Sequence, residues 1–344
     1  MRLDKSRILI TGVAGFIGAA LSKELLKNDV DLVGIDNLNS YYDVNLKKAR
    51  LRIIDDSAKV NLGRWRFYQK DISNHNSLIE IFDSFKPSIV VHLAAQAGVR
   101  YSLINPKSYL ECNLIGFCNV LELCRQYNIL NFLYASSSSV YGGNREFPYK
   151  ENQEVNHPIS FYAATKRSNE LIAHSYSHLY GIPSTGLRFF TVYGPWGRPD
   201  MAPMIFAKSI IENKPIKIFN HGNMKRDFTF IDDIVQALIK CCAKEAHPNN
   251  EFNYFEPEAS TSFAPHRIFN VGNSESIPLM KFIGLLEEGF GKKSKKIFAD
   301  MQPGDIQETF ADNSSLNSWI GFKPKYSIEK GISEFVKWYK DYYV

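Results

Sequence analysis

Short apolar runs alternate with longer amphipathic stretches through the first half of the chain. Arg7–Thr11 (RILIT), Asp31–Asp36 (DLVGID), Ser88–His92 (SIVVH) and Phe132–Ser136 (FLYAS) have the length and continuous apolarity of buried parallel strands. Asp71 and Ile72 follow a further strand, in FYQKDI. Phe16–Asn28, Asn74–Phe85 and Asn105–Tyr127 carry apolar residues at helical spacing. Tyr162–Tyr180 predicts another long helix, and Pro183–Arg188 a further strand. Strand, helix, strand, repeated, predicts an α/β fold built on a Rossmann-type doubly wound parallel sheet.

The texture changes after about Gly194. Pro and Gly become frequent (GPWGRPDMAP) and the alternation loosens. The expected organisation is a Rossmann domain over residues 1–194, to which some later segments return, and a smaller α/β substrate-binding region over 195–344. Lys244–His266 contains three prolines without periodicity and predicts a long surface loop.

Composition narrows the function classes. With 44% hydrophobic and 22% charged residues, the chain of 344 residues is ordinary for a globular protein. Its five cysteines are too few for a disulfide framework. Cys112, Cys118 and Cys124 recur every sixth position, which suits a helix better than a metal site. The net charge of +5 is mild, and its one basic cluster (Lys292, Lys293, Lys295, Lys296) is expected to be a solvated face. No nucleic-acid partner is expected, whereas a small anionic substrate suits this balance. The start MRLDKSRILITG runs straight into a strand, and no apolar stretch has the length of a membrane span. A cytoplasmic protein is the expectation.

Ile8–Gly18 is ILITGVAGFIG, with Gly12, Gly15 and Gly18 spaced G-x-x-G-x-x-G after a strand and at the start of a helix. In that context glycines allow a tight turn, close approach of a pyrophosphate and close helix packing, and the helix N-terminus offers N–H groups to phosphate. Asp36 ends the second strand, where a carboxylate accepts from both ribose hydroxyls and repels a 2′-phosphate. NAD is therefore the expected cofactor. Its expected cradle comprises Gly12, Gly15, Phe16, Ile17, Gly18, Asp36, Asn37, Asp71, Ile72 and Ala94, with Tyr162 and Lys166 at the reacting end.

Tyr162 and Lys166 form a Tyr-x-x-x-Lys pair in FYAATK, one helical turn apart. An ammonium beside a phenol favours the phenolate and lowers a pKa of about 10, which makes a base of it. Upstream, YASSSSVYG puts four serines at the carboxyl end of a strand expected near the sheet centre, where ligands bind in such folds. Serine, tyrosine and lysine together specify hydride chemistry at a carbinol, with proton transfer through Tyr162.

These residues resemble the extended short-chain dehydrogenase/reductase family. HLAAQAGVRYS, YASSSSVYG, YAATK, LRFFTVYGPWGRPDM, RDFTFIDD and MQPGD recur in the family's order over nearly the whole chain. DNLNSYYD, QAGVRYSL, FNHGNMKRDFTFIDD and GPWGRPDM are more specific. They resemble the branch that epimerises UDP-glucuronate at C4. The resemblance implies catalytic roles for Ser137, Tyr162 and Lys166, diphosphate binding by Arg226, and a place for Asp305 near the nucleotide ribose. Family dehydratases carry Asp-Glu after the catalytic Thr, and decarboxylating members a nearby Glu; this chain has Ser138 and Ser139. Those hydroxyls and Thr191 are candidate donors to a sugar carboxylate, and Arg100 and Arg198 candidate contacts to phosphate or carboxylate. Thr191 stands where galactose epimerases have Asn, Gln302 where related enzymes commonly have Arg, and Gln307 where Pro is more frequent. Phe219-Asn220 is equally a uridine contact or an ordinary strand end.

The implied activity is conversion of UDP-glucuronate to UDP-galacturonate through a 4-keto sugar, with NAD unconsumed. The alternatives are C4 epimerisation of a neutral or N-acetylated UDP-hexose, a net dehydrogenase, and a non-catalytic protein that kept the Rossmann domain. The resemblance also implies a homodimer through a four-helix bundle made by the helices of Asn105–Tyr127 and Tyr162–Tyr180.

Overall fold

The computed structural model describes residues 3–302 and 304–344. Met1 and Arg2 of the charged start, and Pro303 of MQPGD, lie outside the described residues. The strands are β1 (Arg7–Thr11), β2 (Asp31–Asp36), β3 (Arg64–Gln69), β4 (Ile89–His92), β5 (Asn131–Ser137), β6 (Ser184–Phe189), β7 (Thr191–Tyr193), β8 (Ile216–Ile218), β9 (Lys225–Phe230), β10 (His266–Val271), β11 (Ser276–Pro278) and β12 (Lys296–Phe298). The helices are α1 (Phe16–Leu25), α2 (Val44–Val60), α3 (His75–Phe85), α4 (Tyr101–Ile104), α5 (Pro106–Tyr109), α6 (Phe117–Gln126), α7 (Phe161–Tyr180), α8 (Ala202–Ile211), α9 (Ile231–Cys242), α10 (Leu279–Phe290), α11 (Ser314–Ile320) and α12 (Ile328–Tyr343).

Seven parallel strands form the main sheet in the order β10-β6-β5-β4-β1-β2-β3. The order reverses between β1 and β4, which opens a crevice at their carboxyl ends. Period-two alternation sends side chains to both faces. From β1, Ile8 and Ile10 join one core while Leu9 joins the other, with α3 and α6. This is the doubly wound α/β sheet that the hydrophobic pattern predicts.

The expected boundary at residue 194 does not divide the core. The cluster holding Ile8, Ile10 and Leu187 runs without a break into Phe228, Phe230, Ile234, Phe282 and Phe335. β10 returns to the edge of the main sheet. The later residues add a three-stranded sheet, β11-β9-β7, and a β12-β8 pair. Residues 244–265 contain neither helix nor strand, as their prolines predict.

Two elements differ from the hydrophobic reading. No helix is predicted after Asp36, yet α2 runs for 17 residues. Its buried face is Leu46, Lys47, Arg50, Ile54 and Ser57, so three polar residues stand where apolar periodicity would have shown it. The expected helix Asn105–Tyr127 is interrupted by a π-helical turn over Leu110–Gly116, between α5 and α6. Asn113, inside that turn, bonds Gln96 in both directions, and its amide also reaches Thr165 Oγ1 at 3.0 Å. Asn169 of α7 donates to the Asn113 carbonyl at 2.7 Å.

Helix α7 is tied to the sheet by a buried ion pair. Arg188 of β6 donates from Nε and Nη2 to the two Glu170 oxygens, at 2.9 and 3.0 Å. Both side chains are fully shielded from solvent. Ser136 of β5 donates to the same carboxylate at 2.6 Å. Burial by itself pushes the Glu170 carboxyl up, but Arg188 and then Ser136 hold it below its ordinary value. Removing one partner leaves an uncompensated buried charge. Arg188→Ala should therefore lower stability by roughly 3–5 kcal/mol, measured by urea unfolding. A loss under about 1 kcal/mol, the range of an exposed pair, would contradict the structural role.

Candidate active site

A cavity of about 900 Å³ follows the carboxyl ends of β1, β2, β4 and β5 and opens toward the later residues. At one end is the glycine turn. Gly12 has φ +72°, and a Cβ there would lie 2.7 Å from the Ala94 nitrogen. β1 and β4 thus meet at the switch point only because position 12 lacks a side chain. A Cβ at Gly18 would collide with the Gly12 carbonyl, so α1 packs directly on the turn. The helix begins at Gly15 with no side-chain cap. Gly15, Phe16, Ile17 and Gly18 line the cavity, which suits the pyrophosphate of a dinucleotide.

Asp36 is 9% exposed and also lines the cavity. Its carboxylate accepts from Ala14 N at 3.2 Å and Leu38 N at 2.8 Å, which fixes it at the end of β2. Burial pushes its pKa up against Lys47, the two backbone donors and Arg50. Asn37, Ile72 and Ala94 line the same end. Asp71 does not face the cavity. Its carboxylate accepts from Asn37 Nδ2 at 2.8 Å and from Ser73 N and Oγ, which ties it to a residue of the wall.

The serine run divides by direction. All four serines line the cavity, but the Ser136 hydroxyl is committed to the buried Glu170, which leaves those of Ser137, Ser138 and Ser139 for the site. Ser139 N donates to Ser137 Oγ at 3.1 Å, closing a short 3₁₀ turn. Tyr162 enters from the first turn of α7, and Ser160 caps that helix by accepting from Ala163 N at 3.1 Å. Thr191, at the start of β7, and Arg198 complete this part of the wall.

Within the chain alone, burial rather than the Lys166 charge dominates the electrostatics of Tyr162. Burial raises the Tyr162 pKa above its ordinary value of 10.0. The opposing influences are a hydrogen bond with Ser137 and the charge of Arg198; Lys166 is not among them. The Lys166 ammonium instead donates to the Ala135 carbonyl at 2.9 Å. Burial pushes it down to about 8, against Cys112 and Glu170. In this site burial outweighs helical spacing.

At the far end, Arg100 Nη2 pairs with Asp305 Oδ2 at 3.0 Å, and its guanidinium lies 4.9 Å from the Phe219 ring centre. Lys217 lies on the same ring at 5.1 Å. Phe219 lines the cavity, while Asn220 turns away to bond the Asn223 carbonyl. Arg226 lines the cavity, with Nη1 donating to the Lys225 and Gln307 carbonyls. Gln307 thus acts through its backbone.

Arg198 is engaged by a partner that spacing did not single out. Its Nε–Nη2 edge is paired with both oxygens of Asp200. Arg50, Asn113, Tyr41 and Asp200 all lie outside the expected set. The available signal was a polar residue on an otherwise buried helix face, for Arg50 and Asn113. For Tyr41 and Asp200 it was membership of the specific strings DNLNSYYD and GPWGRPDM.

Comparison with known proteins agrees with this geometry. Residues 8–254 match the NAD dependent epimerase/dehydratase family. Protein CapI of Staphylococcus aureus is 49% identical over 337 residues, covering 98% of this chain and 99% of the relative. A probable UDP-glucuronate 4-epimerase of Rhizobium meliloti (strain 1021) is 42% identical, with 98% of each chain covered. Among solved structures, UDP-glucuronic acid 4-epimerase from Bacillus cereus, in complex with UDP-glucuronic acid and NAD, superposes with a TM-score of 0.85. Its identity is 32%, with 98% of this chain and 99% of that chain covered. The family match over residues 8–254, the full-length identity and the superposition have one meaning: this chain belongs to the NAD dependent epimerase/dehydratase family.

Proposed function

We propose that this chain is an NAD-dependent isomerase that epimerises UDP-glucuronate at C4 to UDP-galacturonate. The observation that carries this reading is the wall around Tyr162. Ser137, Ser138, Ser139 and Thr191 offer hydroxyls, Arg198 offers a cation, and the β5 end lacks the carboxylic acid that elimination needs. The full-length similarity to enzymes named for this reaction supports the same choice over a neutral UDP-hexose.

In this reading Tyr162 removes the proton of the C4 hydroxyl and later returns it, while Ser137 bonds the reacting oxygen. Bound NAD would accept the C4 hydride, give it back to the other face, and add the positive charge that favours the Tyr162 phenolate. Lys166, anchored on the Ala135 carbonyl, lines the same cavity as Tyr162, where it would bond the cofactor ribose. The 4-keto sugar is a β-keto acid. Ser138, Ser139 and Thr191 hold its carboxylate by hydrogen bonds, away from the alignment in which CO₂ leaves. Arg226 and Arg100 bind the diphosphate, Asp305 the ribose region, and Phe219 the uracil.

The proposal includes a homodimer. Ile115 on the π-helical turn and Leu171 and Leu179 on α7 are 51%, 55% and 65% exposed, on the two segments expected to form the bundle. A second copy pairing these helices into a four-helix bundle buries them. No helix among the described residues is long and apolar enough to cross a membrane. All five cysteines are free, which supports a cytoplasmic, reducing location.

Purified protein given UDP-glucuronate without added NAD should form UDP-galacturonate, identified by chromatography, and should act more slowly on UDP-glucose. Combined Ser138→Ala, Ser139→Ala and Thr191→Ala substitution should erase that preference or release a decarboxylated sugar; an unchanged preference contradicts the assignment. Ultraviolet difference titration of the wild type against Tyr162→Phe should place this phenol above 10.0 without NAD and lower with NAD⁺ bound. Equal values would remove the cofactor's charge from the account. Leu171→Glu should shift the protein from dimer to monomer in sedimentation, and a wild type that sediments as a monomer rules the bundle out.

A further inference from the structure

The strings DNLNSYYD and GPWGRPDM, far apart in sequence, meet across the mouth of the cavity. Tyr41, from the loop after β2, donates its hydroxyl to Asp200 Oδ2 at 3.2 Å. That same carboxylate holds the Arg198 fork, with Nε at 3.1 Å from Oδ1. One carboxylate therefore touches both the loop beside the cofactor end and the guanidinium beside Tyr162.

The strap carrying Arg198 and Asp200 has a rigid base. Arg50, fully buried, donates from Nε and Nη2 to the Trp196 carbonyl at 3.0 and 2.7 Å, and from Nη2 to the Gly197 carbonyl at 3.0 Å. Its Nη1 reaches the Ala14 carbonyl in the glycine turn at 3.1 Å. Trp196, at φ +67°, packs on Trp338 and Tyr342 of α12, with ring centres 5.2 and 4.7 Å away. At the working end the Arg198 and Asp200 side chains keep 21% and 26% exposure.

The loop after β2 is also tied at its base. Lys47 Nζ donates to the Asn39 carbonyl and Oδ1, both at 2.9 Å, and Asn37 bonds Asp71. Asn37, Asn39 and Tyr41 all line the cavity. The Tyr41 ring lies on Tyr101, and Tyr101, Tyr109 and Tyr162 follow at 6.3 and 6.1 Å. Two loops with fixed bases and partly exposed tips are thus joined at their tips by one acceptor.

We propose that Asp200 is a positioning residue that couples the two ligands: it orients Arg198 toward the sugar and, through Tyr41, latches the loop over the cofactor. A group engaging the Nη1 edge of Arg198, which has no hydrogen-bond partner among the described residues, orders that side chain, and with it the carboxylate that Tyr41 needs. The loop over NAD then loses less freedom on closing, so each ligand tightens the other by the same factor. The anion that does this is the hexuronate carboxylate of a UDP-sugar, which rests on the substrate reading above. UDP, lacking the sugar, couples less.

The test uses the full chain stripped of NAD, with NAD affinity measured by calorimetry alone, with saturating UDP, and with saturating UDP-glucuronate. In the wild type, UDP-glucuronate should tighten NAD roughly fivefold or more. Tyr41→Phe and Asp200→Asn should each reduce that ratio below about twofold. Their combination should reduce it no further, because both break one link. Asp200→Glu should recover part of it. A structural role alone would weaken NAD equally with and without UDP-glucuronate and leave the ratio intact; that outcome overturns the proposal, as does a wild type with no coupling. Turnover of UDP-glucuronate by the wild type tests the substrate reading separately. An active wild type whose ratio survives both substitutions defeats the coupling alone.

Discussion

The ion pair between Glu170 and Arg188 is the contact on which the site's geometry depends. It joins α7 to β6, and Ser136 brings β5 into the same cluster. Tyr162 and Lys166 lie on α7, and Ser137 directly follows Ser136, so the reacting groups inherit their separation from this pair. The cluster extends outward as well. The Arg188 guanidinium stacks on the Tyr141 ring at 4.9 Å, and the Tyr141 hydroxyl donates to Asn270 on β10. Asn270 in turn bonds the Tyr149 and Asp312 carbonyls. A charge pair shut off from water is expensive to break on one side, which makes it a firm register pin for three neighbouring strands.

A second constraint acts through polar residues on faces that would otherwise be apolar. Lys47 and Arg50 occupy the buried side of α2, and Asn113 occupies the π-helical turn. Lys47 donates twice to Asn39, Arg50 uses all its N–H groups on the Ala14, Trp196 and Gly197 carbonyls and the Tyr42 hydroxyl, and Asn113 bonds the Gln96 carbonyl and Thr165. These residues reduce hydrophobic burial and in exchange hold irregular backbone where the sheet cannot. The glycine turn, the loop over the cofactor end and the strap all depend on them.

Electrostatics in the cavity follow burial more than spacing. Tyr162 is raised and Lys166 lowered, so the two groups are driven toward their neutral forms together. The positive influence on Tyr162 from within the chain is Arg198, which arrives from another region of the sequence. Asp200 pairs with that guanidinium through both carboxylate oxygens. The chain therefore prepares positions and hydrogen bonds for the reaction, and leaves the strongest positive charge to the cofactor.

The sequence by itself determined the sheet, the glycine turn, the placement of Asp36 and the convergence of Ser137, Tyr162 and Lys166. These follow from local rules: period-two and helical spacing, glycine where backbones touch, and polar residues at strand ends. The family resemblance added Thr191, Arg198 and Arg226, and the structure lines the cavity with all three. What only the tertiary structure decided is where each carboxylate is spent. Asp71 faces Asn37 rather than the cavity, Asp305 meets Arg100, and Asp200 binds Arg198 and Tyr41 at once. Long-range pairing has no period and leaves no trace in local composition. The helix α2 stayed hidden for a related reason, because the residues on its buried face serve distant backbone instead of a neighbouring apolar surface.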